Sequence, residues 1–307
     1  MPRKRKRRQI TGIFLLDKEK GLTSNKALQQ IKHLFEAQKA GHTGSLDPLA
    51  TGVLPICFGQ ATKFSRFLLD AEKTYEATVV FGVTTESGDA EARVVQKRPT
   101  DNLNQGRVES VLKMYRGKTQ QIPSMFSALK VDGERLYSLA RKGITIDRDP
   151  RDIEVYELNL LSLCGNKARL FIRCSKGTYV RTLVEDIGES IGCGAHVREL
   201  RRLRVASFSI KDCLTFESIL DFRKKNGLLE SKLLPIDSAL SGWPKIFVPE
   251  DSQKNLQHGQ TISIEGSTPL GLVTIYSKNS YLSEDFLGIG EFLSNGRLSP
   301  KKMLTNQ

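Results

Sequence analysis

The sequence predicts an α+β protein, in which a large domain of mixed helices and strands precedes a small β-rich domain. At 307 residues the chain is long enough for about two domains and a sizeable core. Strand-like apolar segments occur between segments of helical period. From Ile246 onward, short strand candidates such as VTIYS and FLGIGEFL are separated by Gly and Asn turns. The expected divisions are a basic disordered arm at residues 1–10, the mixed domain at 11–246 and the β-rich domain at 247–307.

The first predicted elements are a strand and a helix. Residues 13–16 form a short apolar strand candidate that ends before Gly21. Ser24 is placed to cap the helix that follows. The apolar stripe of this helix consists of Ala27, Leu28, Ile31, Leu34 and Phe35. Residues 61–69 are predicted to form a further short helix.

The middle of the chain alternates between strands and helices. Residues 73–82, KTYEATVVFG, alternate in polarity and are β-branched, which indicates a strand. The acidic stretch TTESGDAEA at residues 84–92 is expected to be an exposed connection. Residues 108–115 have the apolar spacing of an amphipathic helix. Residues 153–163 and 168–174 are predicted to form a hairpin around a Gly-Asn turn.

A strand-to-helix junction follows this hairpin. Apolar residues keep helical period from Val180 to Ile191, so Thr178, Tyr179 and Arg181 lie where the helix begins. Side chains at such junctions often face clefts. For Arg181, an ordinary surface arginine is the alternative interpretation.

The stretch GHTGSLDPLATGVL at residues 41–54 surrounds one carboxylate, Asp47, with residues of special backbone behaviour. Its glycines allow dihedral angles that other residues avoid, and Pro48 pushes Asp47 toward an extended backbone. The apolar run at residues 53–58 anchors the loop on buried structure. A lone carboxylate on an anchored loop is a catalytic candidate. Ordinary turn chemistry of Asp before Pro is the alternative interpretation.

The charge balance favours a polyanionic partner. The chain has 47 Lys and Arg against 34 Asp and Glu, a net charge of +13 and a pI near 9.5. Nucleic acid is the natural candidate, because the sequence has no apolar run long enough to span a bilayer. The N-terminal PRKRKRR has no apolar signal-peptide region and is interpreted as a solvated arm or an RNA-contacting tail.

Cysteine and histidine patterns give no support for a metal or a cofactor. The five cysteines are an odd number without metal-ligand spacing, so reduced thiols in the cytoplasm are expected. The four histidines form no i, i+4 pair with an acidic partner, and the chain has no phosphate-binding loop. We therefore expect a protein without metal or cofactor, whose own side chains do the chemistry.

Residues 41–54, followed by GQATKF at residues 59–64, resemble the signature of the TruB family, the bacterial tRNA pseudouridine synthases that act on uridine 55 of the T-loop. Further motifs of the family are matched in order at residues 73–75, 121–143 and 176–204. The family usually has proline at the position of Glu19, which puts the shape of that loop in doubt. The resemblance implies a pseudouridine-synthase-like catalytic domain with a mainly antiparallel sheet. It also implies a C-terminal PUA-like RNA-binding domain.

The resemblance also implies roles for the residues of the catalytic motifs. Asp47 would be the essential catalytic residue, and Tyr75 would stack on the target base or take part in proton transfer. Arg181 would pair with Asp47, and we expect its guanidinium to lower the pKa of the carboxyl and keep it ionised.

The family's target base leaves the stack of the T-loop, and His42 would occupy the vacated place. Tyr179 and Leu200 would line the uridine pocket. The partner implied is the T-arm stem-loop of tRNA, with no membrane and no obligatory protein partner. Basic side chains expected to contact the RNA backbone are Lys130, Arg141, Arg198, Arg201 and Arg202.

Conversion of uridine to pseudouridine moves the base from N1 to C5 on the ribose C1′ without redox change, which needs a carboxylate, a proton-transfer group and a closed pocket. Two other classes stay open. A noncatalytic tRNA-binding or RNA-folding chaperone could use the same surface, although it would not need Asp47, Tyr75 and Arg181 together. A hydrolase acting on a nucleoside would usually need a second carboxylate, for which the sequence offers no clear candidate.

Overall fold

The computed structural model describes residues 7–264, 270–278 and 285–305. Its helices are α1 (Ser24–Leu34), α2 (Ser65–Asp70), α3 (Gln105–Met114), α4 (Leu136–Arg141), α5 (Val180–Ile191), α6 (Phe216–Lys224) and α7 (Glu250–Gln257). The strands of the first half are β1 (Gly12–Lys18), β2 (Ala40–His42), β3 (Thr51–Phe58), β4 (Lys73–Phe81), β5 (Val83–Thr85), β6 (Val94–Lys97), β7 (Gly117–Gln121), β8 (Lys130–Val131) and β9 (Glu134–Arg135). Those of the second half are β10 (Arg151–Cys164), β11 (Lys167–Cys174), β12 (Ala195–Val205), β13 (Phe208–Ser209), β14 (Lys245–Val248), β15 (Ile262–Ser263), β16 (Gly271–Ser277), β17 (Phe286–Phe292) and β18 (Arg297–Met303).

A mainly antiparallel sheet organises the larger domain, with its strands in the order β1-β3-β12-β4-β11-β10-β7. The pair β3 and β12 is parallel, and the other neighbours along this path are antiparallel. The alternation predicted for residues 73–82 places Tyr75, Ala77, Val79 and Phe81 of β4 in the buried core. The predicted α+β class with a mainly antiparallel sheet is confirmed.

The apolar stripes of α1 and α5 cover one face of this sheet. Leu28 and Ile31 of α1 and Leu183 and Ile187 of α5 belong to the same buried cluster as β4. Helix α5 ends at Gly192, which has the left-handed backbone (φ 95°) typical of a helix C-terminus. These contacts bring the N-terminal end of α5 over the sheet, next to the loop that precedes β3.

The cap of α1 differs from the expectation. Thr23, not Ser24, accepts the capping hydrogen bond, from the backbone N–H of Lys26 at 3.2 Å. The buried Ser24 hydroxyl instead donates to the carbonyl of Leu46 (3.0 Å) and accepts from its N–H (2.7 Å). Ser24 therefore ties α1 to the loop that carries Asp47.

Part of the expected basic arm at residues 1–10 is packed against the larger domain. Its first six residues lie outside the described residues. Arg8 donates its backbone N–H to Glu36 (2.8 Å) and pairs with Ala37, and Ile10 is buried in the core. The packed chain therefore includes residues 8–10, because an apolar side chain and a backbone pairing order this segment.

The C-terminal domain is a five-stranded sheet in the order β14-β16-β17-β18-β15, with α7 after its first strand. The expected boundary after residue 246 falls inside β14, whose Lys245 and Ile246 pair with Thr274 and Ile275. Residues 265–269, 279–284 and 306–307 of the expected β-rich domain lie outside the described residues.

Apolar packing joins the two domains. The rings of Phe64 and Phe286 pack edge to face with centroids 5.5 Å apart, and beside them Phe67 packs in the same way, at 5.1 Å, on Trp243 in the segment before β14. Of the helices in the three described ranges, none combines the length and apolar character of a membrane span.

Candidate active site

The loop between β2 and β3 holds Asp47 in a fixed backbone. Gly44 and Gly52 have φ of 82° and 104°, in the region that favours glycine. At Gly52 a Cβ atom would lie 2.2 Å from the carbonyl oxygen of Arg202, so only glycine allows β3 to approach β12 this closely. The carbonyl of Pro48 accepts from the N–H of Gly21 at 2.8 Å. These contacts anchor the loop at both of its ends.

Arg181 pairs with Asp47, as the family resemblance implied. Its Nε lies 3.0 Å from Asp47 Oδ2, and its Nη2 donates to Oδ1 at 3.3 Å. This two-point contact orients the carboxylate plane. The Arg181 side chain is 5% exposed, whereas that of Asp47 is 40% exposed. One side of the carboxylate is therefore held by protein, and the other is open to a ligand.

The rest of the Arg181 guanidinium is bound by groups that sequence reasoning missed. Nη1 donates to the carbonyl of Ser87 (2.8 Å) and to Asp89 Oδ2 (3.3 Å), and Nη2 also donates to the carbonyl of Phe126 (2.9 Å). Asp89 is buried, so the expectation that residues 84–92 form an exposed connection is wrong at this residue. A buried arginine needs acceptors, and the Gly-containing acidic turn supplies them. The signal available in the sequence was an acidic residue beside a turn glycine.

The expected effect of Arg181 on the pKa of Asp47 is outweighed. Burial raises the pKa of the Asp47 carboxyl above its ordinary value, while Arg181 and Lys18 act in the opposite direction. The negative charge of Asp89 raises the pKa further. The guanidinium therefore acts in the predicted direction, but burial has the larger effect and the net pKa is raised.

A cleft of about 380 Å³ opens in front of Asp47. Tyr75, Tyr179, Arg181 and Leu200 line it together with Asp47. Further lining residues are Gly44, Ser45, Leu46, Leu69, Lys73, Ser127, Ala128, Leu129, Ser175, Gly177, Thr178, Val180 and Arg202. The structure thus brings together residues that are far apart in the sequence and that the resemblance assigned to one site.

Each of the two tyrosines is held by its own element. Tyr75 lies on β4 opposite Ile172 of β11, and burial raises the pKa of its hydroxyl while Arg202 opposes this. Tyr179 precedes α5, and its N–H and carbonyl bond the side-chain amide of Gln121 at 2.8 and 3.1 Å. Burial also raises the pKa of Tyr179. Both hydroxyls therefore stay protonated at neutral pH.

His42 lies at the end of β2, opposite Ile56, and does not line the cleft. Its Nδ1 is buried without a hydrogen-bond partner among the described residues. Burial and the nearby Arg202 lower the pKa of its imidazole. The ring is therefore neutral at neutral pH.

The predicted RNA-contacting cations divide into two groups. Lys130, Arg141 and Arg198 are exposed. Arg201 is half-buried and pairs with Asp17 at 2.7 Å. Arg202 is fully buried, and it donates to the carbonyls of Val53 (2.8 Å) and Gly44 (3.0 Å).

The prediction that Arg202 contacts RNA is therefore wrong. Residues 195–205 form a strand, so Arg202 lies on the same side as Leu200 and points inward. There its guanidinium supports the backbone of the Asp47 loop.

Two buried lysines near the site were also missed. Lys18 Nζ donates to the carbonyls of Glu19 (2.8 Å) and Leu22 (2.7 Å), and burial lowers its pKa to about 8. Lys73 Nζ donates to the carbonyls of Leu69 and Ala71, both at 2.6 Å, and burial lowers its pKa to about 8 as well.

Within the described ranges, no group of three or more His, Cys, Asp or Glu side chains could hold a metal ion.

Family models match most of the chain. The model described as TruB family pseudouridylate synthase (N terminal domain) matches residues 32–180. The tRNA pseudouridylate synthase B C-terminal domain matches residues 181–241. The model described as Pseudouridine synthase II TruB, C-terminal, matches residues 244–304.

Whole-length relatives and solved structures agree with these matches. A protein named tRNA pseudouridine synthase B from Stutzerimonas stutzeri is 46% identical over 306 residues, 99% of both chains. One of the same name from Coxiella burnetii is 45% identical over 300 residues, 97% of this chain and 96% of the relative. A structure described as "Structure of H/ACA RNP bound to a substrate RNA containing 2'-deoxyuridine" has a TM-score of 0.73 at 23% identity, over 96% of this chain and 85% of the other. That likeness shows a shared fold.

Proposed function

This chain belongs to the TruB family of pseudouridylate synthases, and we propose that it isomerises uridine 55 in the T-loop of tRNA to pseudouridine. The observation that carries the proposal is the pairing of Asp47 with Arg181 at the floor of a cleft lined by Tyr75, Tyr179 and Leu200. The names of the relatives that match the whole length support tRNA as the substrate.

The reaction breaks the bond from ribose C1′ to N1 of the uracil and forms a bond from C1′ to C5. The C5 hydrogen leaves as a proton, and N1 takes up a proton in place of its bond to the ribose. Atoms balance without a co-reactant. We assign to Asp47 the carboxylate that attacks C1′ or assists departure of the base. Tyr75 stacks on the base or takes part in the proton transfer. The buried wall of the cleft keeps the detached uracil in place for its second bond.

Arg181 serves the reaction by orienting Asp47. Its guanidinium is bound at four acceptors, so neither partner has freedom to rotate. Its positive charge favours the ionised carboxylate against the effect of burial. The pair gives a fixed, partly exposed carboxylate at the floor of the cleft.

The cleft suits a single extruded nucleoside. Its volume of about 380 Å³ lies within the range of roughly 300–1,000 Å³ usual for small-ligand pockets. A stacked T-loop base must leave the stack to enter it, at a cost of a few kcal/mol. We assign to the neutral ring of His42 the place that the base vacates.

Positive charge holds the RNA around the cleft. The exposed Lys130, Arg141 and Arg198, with the half-exposed Arg201, are the cations that we assign to backbone phosphates. Binding through such contacts weakens steeply with salt. A tRNA substrate and reduced cysteines also favour the cytoplasm as the site of action.

Tritium release from a T-arm hairpin with uridine labelled at C5 tests the proposal. The native protein should release label in proportion to the target uridine. Asp47→Asn should bind the hairpin and release label at least about a thousandfold more slowly. Asp221→Asn, which alters a surface pair with Lys224 on α6, is the matched control and should behave as the native protein. Binding by the native protein without release would refute the proposed chemistry.

A further inference from the structure

Ser127 places an unused hydroxyl in the cleft. The residue is 3% exposed and lines the cleft with Asp47 and Tyr179. Its Oγ is buried and makes no hydrogen bond of good geometry among the described residues. Its carbonyl accepts from the N–H of Tyr137 at 3.1 Å, so the backbone is held and the hydroxyl has a defined position. A buried hydroxyl left without a partner costs roughly 1–3 kcal/mol.

Other polar side chains of the cleft are already engaged. The ammonium of Lys73 and the guanidinium groups of Arg181 and Arg202 donate to the backbone and carboxylate acceptors described above. The hydroxyl of Thr178 donates to the carbonyl of Ser175 at 3.1 Å.

The remaining serines of the cleft differ from Ser127. Ser175 Oγ accepts from the N–H of Glu154 at 2.8 Å. Ser45 is exposed and can be hydrated. Ser127 therefore combines burial, a hydroxyl without a well-formed hydrogen bond and a place in the cleft.

A flipped uracil needs hydrogen-bond donors in the cleft. Its two carbonyl oxygens lose their hydrogen-bonding environment when the base enters the cleft, and each needs a donor there. Resting on the proposed function, we propose that Ser127 is a specificity-determining residue whose hydroxyl donates a hydrogen bond to a carbonyl oxygen of the target uracil. A site that supplies this donor discriminates against a base that lacks the acceptor.

An alternative role for Ser127 is to position the neighbouring Tyr179. The Ser127 side chain lowers the pKa of the Tyr179 hydroxyl by hydrogen bonding to it, although burial has the larger effect and raises that pKa. If Ser127 acted only by positioning Tyr179, its loss would slow all substrates equally. Direct bonding to the base predicts a dependence on the substrate atom.

The test measures tritium release by the native protein, Ser127→Ala and the control Ser124→Ala. Ser124 lies in the same segment, and its hydroxyl accepts from the N–H of Phe126 (3.1 Å) outside the cleft. Hairpins carry uridine, 2-thiouridine or 4-thiouridine at the target. Ser127→Ala should lower kcat/KM on uridine roughly three- to tenfold. One of the two thio substitutions should lower kcat/KM of the native protein and of Ser124→Ala. The same substitution should lower kcat/KM of Ser127→Ala by a severalfold smaller factor.

The role of Ser127 would be overturned if each thio substitution lowered kcat/KM by the same factor in all three proteins. An unchanged kcat/KM on uridine in Ser127→Ala would overturn it as well. Native release of label in that case leaves the proposed function standing. If the native protein itself releases none, the proposed function falls, and this proposal falls with it. Thermal unfolding of the variants identifies any loss that comes from misfolding.

Discussion

Replacing Asp89 with alanine should destabilise the protein by about 3 kcal/mol. The carboxylate is 7% exposed and accepts from Arg181 (3.3 Å), the Ser87 hydroxyl (2.8 Å) and the N–H of Glu91 (3.1 Å). Removing one member of a buried ion pair typically costs about 3–5 kcal/mol. The lower end applies because Arg181 keeps Asp47 and two carbonyls as acceptors.

Two further variants separate the causes. Asp89→Asn keeps an oxygen that can accept these bonds, so it should lose about half as much stability. Asp70→Ala removes an exposed carboxylate paired with Lys176 at 3.0 Å, and should lose about 0.5 kcal/mol or less. Urea unfolding followed by circular dichroism measures all three losses. A loss below about 1 kcal/mol in Asp89→Ala would refute the reasoning that Asp89 supports Arg181.

Four other predictions concern pH and charge. Because burial raises the pKa of Asp47, kcat/KM for tritium release should decrease at low pH, and this decrease should begin at a higher pH than for an ordinary aspartate. A pH profile in which kcat/KM decreases only at the pH of an ordinary aspartate would contradict this. Burial raises the pKa of Glu185 from 4.5 to about 7, so this carboxyl favours the fold when protonated and loses that contribution as pH rises. Urea unfolding should therefore show Glu185→Gln gaining stability relative to the native protein between pH 4.5 and about 7, and a constant difference would contradict it. Arg202→Ala should lose about 3 kcal/mol or more in urea unfolding, because its buried guanidinium supports two carbonyls. Arg198→Ala should stay as stable as the native protein and reduce the salt slope of hairpin binding by about 1, and an unchanged slope would remove Arg198 from the interface.

Local patterns were sufficient for several parts of the fold. The alternation of residues 73–82 placed strand β4, because side chains of a strand alternate between two faces. The helical period after Gly177 placed α5 and its junction with Tyr179. The family resemblance, now confirmed, carried the pairing of Asp47 with Arg181, which local composition did not contain.

Residues that depend on distant partners were missed or misassigned. In the sequence Asp89 has the pattern of a turn residue. In the fold it lies beside Arg181, which is 92 residues away along the chain. Arg202 reads as one of several surface cations until strand pairing turns it inward under Gly44. Ser24 reads as a helix cap, although its hydroxyl binds the loop at Leu46.

The sequence by itself determined the α+β class, the family, the basic charge that favours RNA and the identity of the central carboxylate. These properties depend on composition, on periods of two and 3.6 residues, and on contiguous motifs. Only the tertiary structure decided which charges are buried, which acceptors hold Arg181 and which buried hydroxyl of the cleft lacks a well-formed hydrogen bond. Burial and ion pairing depend on groups that the fold brings together from far apart in the chain, so no local window of sequence contains them.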